Sequence, residues 1–270
     1  MKLPIIKSAI IAGGLALGAS SAYAGDALTV VSWGGAYTKS QIEAYHKPYT
    51  AKYGTKIQSE DYNGGLAEIR AQVEAGKITW DVVDLEVSDA ARGCDDGLFE
   101  KISAGSLPNG VNGALPSKDF IPGALQECAV GTIVWSTIYA YDADKYKSKK
   151  PTTISDFFDV KKFPGKRGMR KVPKVNLEWA LMADGVDGKD VYKVLATKAG
   201  QDRAFKKLDT IKNDVLWWEA GAQPPQMLAD GEVVMTSAYN GRIFNAAVTE
   251  KKNFEIVWDR QLFSFDLYAI

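Results

Sequence analysis

The stretch GTIVWSTIYAYD, Gly131–Asp142, decides the fold that the sequence predicts. It is rich in β-branched and aromatic residues and is long for a single strand. A lysine-rich break, KYKSKKP (145–151), follows it and is predicted to be a solvated surface. Before the stretch, short β-branched runs alternate with helical patterns, and after the break helical patterns predominate. Two α/β segments on either side of a long strand predict a two-lobed α/β protein.

The segment before this strand contains three short runs with the composition of strands: Leu28–Ser32, Ile57–Tyr62 and Trp80–Leu85. Ser40 and Glu43 have the spacing of a capping box, which predicts a helix start at Ser40. Pro48 should kink that helix, and Gly54 should end it.

The segment after the break contains predicted helices at SDFFD (155–159), at LEWALMADGV (177–186) and from Asp190 to about Lys212. Short strands are predicted at VLWW (215–218), VVMTSAY (233–239) and FEIVWD (254–259). The chain ends in FSFDLYAI (263–270), an apolar strand without a polar finish. Since surface termini are usually polar, we expect the sequence to be a fragment that lacks C-terminal helices.

The first residues have the features of an export signal. Lys2 and Lys7 give a positive start, Ala9–Ala19 is small and apolar, and Ala22-Tyr23-Ala24 fits a cleavage site. Residues 1–24 are therefore predicted to be a secretory signal peptide. The remaining 246 residues (270 − 24) are predicted to be an exported protein of the periplasm.

Charge and cysteine content exclude several classes of partner. The chain carries 33 basic and 33 acidic residues, whereas nucleic acids and anionic membranes demand a basic excess. Cys94 and Cys128 are the only cysteines. In an oxidising compartment they are predicted to form one disulfide, with two free thiols as the alternative. The single histidine, His46, is interpreted as a partly exposed side chain on a helix.

Several kinds of site are excluded by what the sequence lacks. The glycine pairs Gly34-Gly35 and Gly64-Gly65 do not have the spacing of a phosphate-binding loop. One histidine is too few for a zinc hydrolase and is poorly placed as the base of a serine hydrolase. Neither a metal nor a cofactor is expected. An exported hydrolase that uses a pair of carboxylates stays open as an alternative.

Aromatic and acidic residues are the candidates for ligand binding. Trp33 and Tyr37 follow the first predicted strand on a glycine-containing turn, and their π faces can bind an amine. Asp84 and Glu86 stand at the C-terminal end of a predicted strand, where ligands bind in open α/β sheets. Because they are two residues apart, their side chains should point the same way. Surface exposure or helix capping is the alternative role for these two acids.

The order of the motifs resembles the periplasmic solute-binding proteins of ABC transporters, and most closely their spermidine/putrescine-binding branch. The motifs are Trp33 with Tyr37, WDVV (80–83), GLFEKI (97–102), the strand around Trp135, GEVVMTSAYNGR (231–242) and FDLYAI (265–270). The resemblance spans essentially the whole mature chain. It implies two α/β lobes that close on a ligand, crossover strands at 134–141 and 262–270, no catalysis, and a membrane permease as partner.

The resemblance also implies lobe boundaries and ligand-binding positions. Lobe 1 would comprise residues 25–137 and 262–270, and lobe 2 residues 138–261. The pocket positions of the family fall on Trp33, Tyr37, Glu86, Ser88, Tyr239 and Asp266, with Trp218 or its neighbour Trp217 closing over the ligand. Asp84 joins them from the strand pattern. The expected protein is a monomer that binds a small amine such as putrescine or spermidine.

The basic residues depart from the polyamine-binding pattern. Where that branch has acidic residues before a helix, this sequence has MRKVPKVN (169–176), with Arg170, Lys171 and Lys174, and Arg242 lies close to the expected pocket. Cations that face the pocket would repel a polyamine, whereas a guanidinium suits a carboxylate. The alternative ligand is a zwitterionic amino compound such as 4-aminobutyrate, with its ammonium toward Glu86 and its carboxylate toward Arg242. A position of these bases on the rim, or against the permease, stays equally open.

Overall fold

The computed structural model describes residues 27–270, so the predicted signal peptide (1–24) lies outside the described residues. Within that range eight strands form one mixed sheet in the order β2-β1-β3-β8-β4-β7-β5-β6. The strands are β1 (Leu28–Ser32), β2 (Ile57–Asp61), β3 (Val82–Glu86), β4 (Ala129–Asp142), β5 (Arg167–Arg170), β6 (Val215–Trp218), β7 (Met235–Tyr239) and β8 (Phe254–Ala269).

The strands are connected by α-helices, most of them short. These are α1 (Gly35–Gln41), α2 (Lys47–Tyr53), α3 (Ala67–Glu74), α4 (Val87–Asp95), α5 (Pro116–Asp119), α6 (Ile154–Phe158), α7 (Asn176–Ala183), α8 (Val191–Leu195), α9 (Lys198–Asp209), α10 (Gln223–Ala229) and α11 (Asn240–Val248). Within the described part of the chain no helix is both long and apolar enough to cross a lipid bilayer.

Two long antiparallel strands, β4 and β8, connect the halves of the sheet. Their pairing runs from Ala129 opposite Ala269 to Asp142 opposite Phe254. β8 also pairs with β3 of the first half, and β4 pairs with β7 of the second. The predicted two-lobed α/β architecture is confirmed. The prediction of two separate strands at the C-terminal end is wrong, because β8 runs unbroken through Arg260, which takes up a positive φ of 56°.

Three hydrophobic clusters lie against the sheet. One contains Val31, Leu85 and Leu267, another is built around Tyr139 and Trp179, and a third includes Ile138 and Trp218. The first draws on the chain up to Ala129 and on the end of β8, whereas the other two draw on the chain after residue 137. The lobe boundaries given above stay a prediction.

The first helix begins earlier than predicted. α1 starts at Gly35, and the Ser40 hydroxyl donates to the Tyr37 carbonyl instead of capping a new helix. A wide π-helical turn, Ile42–His46, then joins α1 to α2 directly before Pro48. Since proline lacks an N–H and crowds the preceding turn, the irregularity predicted at this point takes the form of a π turn.

His46 differs from its prediction as a partly exposed side chain. It is buried, and its Nδ1 lies 3.0 Å from the Ser59 hydroxyl of β2. Burial lowers the pKa of His46, so the ring is neutral at physiological pH.

Strand β5 was not predicted. Its sequence, RGMR, contains two arginines and a glycine and so lacks the composition of a strand. Arg167 is nevertheless fully buried, because its guanidinium donates to the main-chain carbonyls of Phe157, Phe163 and Gly165. These acceptors satisfy the charge in the protein interior.

The structure joins Cys94 and Cys128 in a disulfide, with Cα atoms 5.7 Å apart. The bond links the end of α4 to the residue before β4. It therefore ties the helix that follows β3 to the start of β4.

Candidate functional site

A cavity of about 320 Å³ lies between the two halves of the sheet. Its walls come from the segment after β1, the ends of β3 and β7, the middle of β4, the start of α11 and the last part of β8. Six of the predicted binding residues line this first cavity: Trp33, Tyr37, Glu86, Tyr239, Arg242 and Asp266.

Asp266 is an acidic group of the first cavity that has no ion-pair partner among the described residues. It lies on β8 opposite Glu86 of β3 and accepts a 2.8 Å hydrogen bond from the Trp135 indole. Burial raises the pKa of Asp266 to about 8, and the charge of Asp84 adds to the rise. Asp266 is thus a carboxyl group whose ionisation an external cation would favour.

Asp84 lies behind the cavity wall and is fully buried. Its Oδ2 accepts hydrogen bonds from Ser32 Oγ (3.1 Å) and Gln41 Nε2 (2.6 Å). Burial raises the pKa of Asp84 to about 6, although hydrogen bonds from Gln41, Tyr37 and Ser32 oppose the rise. As predicted from the strand pattern, Asp84 and Glu86 share one face of β3. Asp84, however, acts on Tyr37 and Asp266 rather than lining the cavity.

Glu86 already holds two cations of the protein. Arg170 Nη1 lies 2.6 Å from its Oε1, and Lys174 Nζ lies 2.6 Å from its Oε2. Burial alone would raise the pKa of Glu86, but the charges of Arg170 and Lys174 outweigh it and lower the pKa below its usual value. Glu86 is therefore an ionised group whose charge is neutralised by residues of the opposite half of the sheet.

Two of the predicted aromatic residues, Trp33 and Tyr239, lie on either side of a cation of the protein itself. The Arg170 guanidinium lies 5.9 Å from the ring centroid of Trp33 and 5.9 Å from that of Tyr239. Of the basic segment at 169–176, Arg170 and Lys174 thus face the site, whereas Lys171 forms an exposed ion pair with Glu219. The sequence left open whether these bases face the pocket or lie on its rim. Two of the three face the site, and the third lies at the surface.

Arg242 is buried at the start of α11 and bridges the two halves of the molecule. Its Nη2 donates a 2.8 Å hydrogen bond to the Trp33 carbonyl. A Cβ atom on Gly35 would lie 2.8 Å from Nη1, and one on Gly221 would lie 3.0 Å from Nε. The glycine at the start of α1 therefore gives the guanidinium room, in addition to adopting a φ of 61°.

A second cavity of about 290 Å³ adjoins the first, and Ser88 and Trp218 lie in its wall. Trp218 is buried and its ring contacts that of Tyr239, while Trp217 is exposed. The structure thus distributes eight of the nine predicted binding residues over two cavities, and the ninth, Asp84, lies behind the wall of the first.

Several residues of the first cavity were not predicted, among them Trp135, Asn240 and Asn245. Trp135 lies on β4 opposite Ser264, so it shares a sheet face with Asp266. The strand around Trp135 was noticed as a motif, but its place in the site depends on the register between β4 and β8. Asn240 and Asn245 lie on α11, and Asn245, three residues after Arg242, could have been identified from helical spacing.

Strands β2 to β8 all lie within the part of the chain that matches a known family. The sequence profile of the family described as "Bacterial extracellular solute-binding protein" matches residues 44–270. The chain belongs to this family. The expectation of a solute-binding protein is thereby confirmed.

Two of the relatives of this solute-binding protein are linked by name to 4-aminobutyrate (GABA). The gamma-aminobutyric acid-binding protein of Pseudomonas aeruginosa is 46% identical over 257 residues, which cover 95% of this chain and 70% of that protein. The structure of the Atu4243-GABA receptor is 32% identical with a TM-score of 0.74, and the match covers 91% of this chain and 72% of that one. The PBP MotA from A. tumefaciens B6, in complex with glucopine, is also 32% identical, with a TM-score of 0.82 over 90% of this chain and 73% of that one.

The spermidine/putrescine-binding branch is not confirmed as the subfamily. The spermidine/putrescine-binding protein PotD from Streptococcus pneumoniae is 14% identical, with a TM-score of 0.64 over 90% of this chain and 72% of that one. A likeness at this level of identity shows the fold alone.

Proposed function

We propose that this solute-binding protein binds an ω-amino acid of the 4-aminobutyrate type in the first cavity. The observation that carries the proposal is that Asp266, an acidic group without a cationic partner among residues 27–270, and the guanidinium of Arg242 line the same cavity. A ligand with one ammonium and one carboxylate matches this arrangement of charge.

The ammonium is assigned to Asp266, and not to Glu86 as the sequence predicted. Glu86 already carries Arg170 and Lys174, so a third cation there would be repelled. In the part of the chain that the structure describes, the Asp266 carboxyl accepts its side-chain hydrogen bond from a neutral donor, the Trp135 indole. The rings of Trp33, Tyr37 and Trp135 would surround the aliphatic part of the ligand.

The carboxylate is assigned to Arg242. A guanidinium presents five N–H donors, of which the bond to the Trp33 carbonyl uses one. Burial lowers the pKa of Arg242, but a guanidinium stays protonated and gains most from an anion where water is scarce. The first cavity thus offers a basic end for the carboxylate and an acidic end for the ammonium.

The same arrangement disfavours a polyamine. A second ammonium would meet Arg242, with Arg170 and Lys174 close by. The two relatives named for 4-aminobutyrate support the zwitterion over putrescine or spermidine. The family and the neutralised Glu86 also speak against the alternative of a carboxylate-pair hydrolase.

We further propose that the protein is the substrate-binding component of an ABC importer and acts in the periplasm. The family and the two-lobed fold support this role. The lobes, at the boundaries predicted from the sequence, would close on the ligand, because Asp266 and Arg242 reach it from different elements of the fold.

The test is isothermal titration and thermal unfolding of the full chain with 4-aminobutyrate and putrescine, which share an aliphatic chain and one ammonium. We expect 4-aminobutyrate at a hundredfold excess over its Kd to stabilise the protein by about 2.7 kcal/mol, and putrescine to have no effect. A larger stabilisation by putrescine or spermidine would overturn the assignment of the ligand.

A further inference from the structure

The space between the rings of Trp33 and Tyr239 has the composition of a binding site for an organic cation. The two rings line the first cavity, and so does the carboxylate of Glu86. Aromatic faces attract cations, and a carboxylate binds ammonium and guanidinium groups through charged hydrogen bonds. The protein occupies this space itself, because the guanidinium of Arg170 lies 5.9 Å from both ring centroids.

Arg170 is fixed in this space by contacts at both ends of the residue. Its Nη1 lies 2.6 Å from Glu86 Oε1, and its main-chain carbonyl accepts a 2.7 Å hydrogen bond from the Asn176 side chain. Lys174 reaches the other carboxylate oxygen of Glu86, at 2.6 Å, from a position where its side chain is 45% exposed. Of the two cations on Glu86, Arg170 is thus the one that fills the space between the rings.

A second acid lies beside the space that Arg170 fills. Glu86 on β3 and Asp266 on β8 are directly opposite each other, so their side chains share a face of the sheet, with Cβ atoms about 5 Å apart. Burial raises the pKa of Asp266 to about 8, and the charges of Glu86 and Arg170 act on it in opposite directions. Without the guanidinium, the two adjacent acids would suit two ammonium groups. With it, Asp266 alone is left for a ligand.

We propose that Arg170 determines the charge specificity of the first cavity. Its guanidinium occupies a cation site that the protein builds from one carboxylate and two aromatic rings, and it thereby limits the ligand to one ammonium group. The inference rests on the proposed function, which places that ammonium at Asp266. An ω-amino acid turns its carboxylate toward Arg242 and needs no second cation site, whereas a diamine needs the site that the guanidinium fills. Removing the guanidinium while keeping Glu86 therefore creates a site for diamines.

The test compares putrescine with n-butylamine, which has the same four-carbon chain but a single ammonium, by calorimetric titration of the full chain. In Arg170→Gln the ratio of their association constants should rise at least about tenfold over the wild-type ratio, because the second ammonium gains a carboxylate and two rings. Lys174 stays on Glu86 in this variant, so the carboxylate keeps a counter-charge. A ratio equal to that of the wild-type protein would overturn the inference.

Two control variants separate the position of the charge from the charge itself. Arg170→Lys keeps a cation next to Glu86 and should hold the ratio within about threefold of the wild-type value. Lys171→Gln removes the same charge from an exposed ion pair with Glu219 and should leave the ratio unchanged. A rise in either control as large as that in Arg170→Gln would mean that the guanidinium between the rings does not set the ratio, and the inference would fail.

Binding of 4-aminobutyrate separates this inference from the proposed function. If the wild-type protein binds 4-aminobutyrate and the ratio does not change in Arg170→Gln, the role of Arg170 alone is removed. If the wild-type protein binds putrescine more tightly than 4-aminobutyrate, or binds neither, the proposed function fails, and the inference fails with it.

Discussion

Arg170 of β5 donates a 2.6 Å hydrogen bond to Glu86 of β3, and this ion pair joins the two halves of the molecule across the site. The Arg170 side chain is 15% exposed and that of Glu86 10% exposed, so both charges are largely removed from water. The guanidinium also lies between Trp33 and Tyr239, one from each half. The protein thus fills the space between these two rings with its own cation, which leaves Asp266 as the acid available to a ligand.

Substitution Glu86→Gln should destabilise the protein markedly. The change keeps the size of the side chain but leaves the buried Arg170 guanidinium without a counter-charge. Breaking a buried ion pair in this way costs about 3 kcal/mol. Urea unfolding followed by tryptophan fluorescence measures the loss.

The matched control for this prediction is Glu219→Gln. Glu219 pairs with Lys171 at 3.0 Å, but both side chains are about two-thirds exposed (64% and 65%). Loss of such a surface pair costs less than about 1 kcal/mol. Equal losses in the two variants would show that the Arg170–Glu86 contact does not stabilise the fold.

Substitution Arg242→Ala should weaken binding of 4-aminobutyrate by at least about thirtyfold, because the carboxylate loses a charged hydrogen-bonding partner worth about 2 kcal/mol or more. Titration calorimetry gives the dissociation constants. The control ligand is n-butylamine, which keeps the ammonium and the chain but has no carboxylate.

Arg242 also donates to the Trp33 carbonyl, so the variant alters the site for any ligand. That effect falls on butylamine and on 4-aminobutyrate alike, and the difference between their losses isolates the carboxylate contact. Equal losses for both ligands would place the carboxylate elsewhere. Lys171→Ala, which removes an exposed cation, should change neither affinity.

The sequence predicts the fold well because its decisive features are long. A strand as long as β4 and the apolar end of β8 can be recognised from the sequence alone. The motif order also predicts that Trp33, Glu86 and Asp266 lie near one another. Short elements are predicted less accurately. β5 is missed because its arginines are satisfied by main-chain carbonyls that only the folded chain brings near.

The candidate site is predicted only as far as it depends on the identity of residues. Trp33, Tyr239 and Arg242 are predicted from the sequence, and all three line the first cavity. The position of Arg170 between the two rings requires the register of β5 against β6, in which Arg170 lies opposite Trp218. The contact between Trp135 and Asp266 likewise requires the pairing of β4 with β8 across 131 residues of sequence. Pairings of this kind are set by tertiary packing and leave no local pattern.

Binding of an amino acid should release a proton near neutral pH. Burial, followed by the charge of Asp84, raises the pKa of Asp266 to about 8, so the ligand-free carboxyl is mostly protonated at pH 7. An ammonium pairs with the ionised form, and binding must therefore expel the proton. Since one pKa unit corresponds to a tenfold change in population, the affinity should rise roughly tenfold per pH unit up to about pH 7 and level off near pH 8.

Titration calorimetry in phosphate and in Tris at pH 7 measures the released proton, because these buffers differ in their heat of ionisation. We expect close to one proton per bound ligand. In Asp84→Asn the loss of the neighbouring charge should move the rise in affinity to lower pH. Equal heats in both buffers, together with a flat dissociation constant between pH 6 and 8, would contradict the role of Asp266.

The glycine pair Gly64-Gly65 gives a matched test of how Trp33 is held in place. Both residues have a φ of 85°, so an alanine at either position is strained by about 1 kcal/mol. A Cβ on Gly64 would lie 2.6 Å from the Trp33 ring, whereas a Cβ on Gly65 would meet nothing within 4 Å. We therefore expect Gly64→Ala to lose about 2 kcal/mol more stability than Gly65→Ala, in keeping with the cost of overpacking.

Because Trp33 lines the first cavity, Gly64→Ala alone should also weaken binding of 4-aminobutyrate. Urea unfolding measures the stability of the two variants, and calorimetric titration measures their affinity for 4-aminobutyrate. Equal stabilities and equal affinities would mean that Trp33 can move away from Gly64 without cost to the fold or the site.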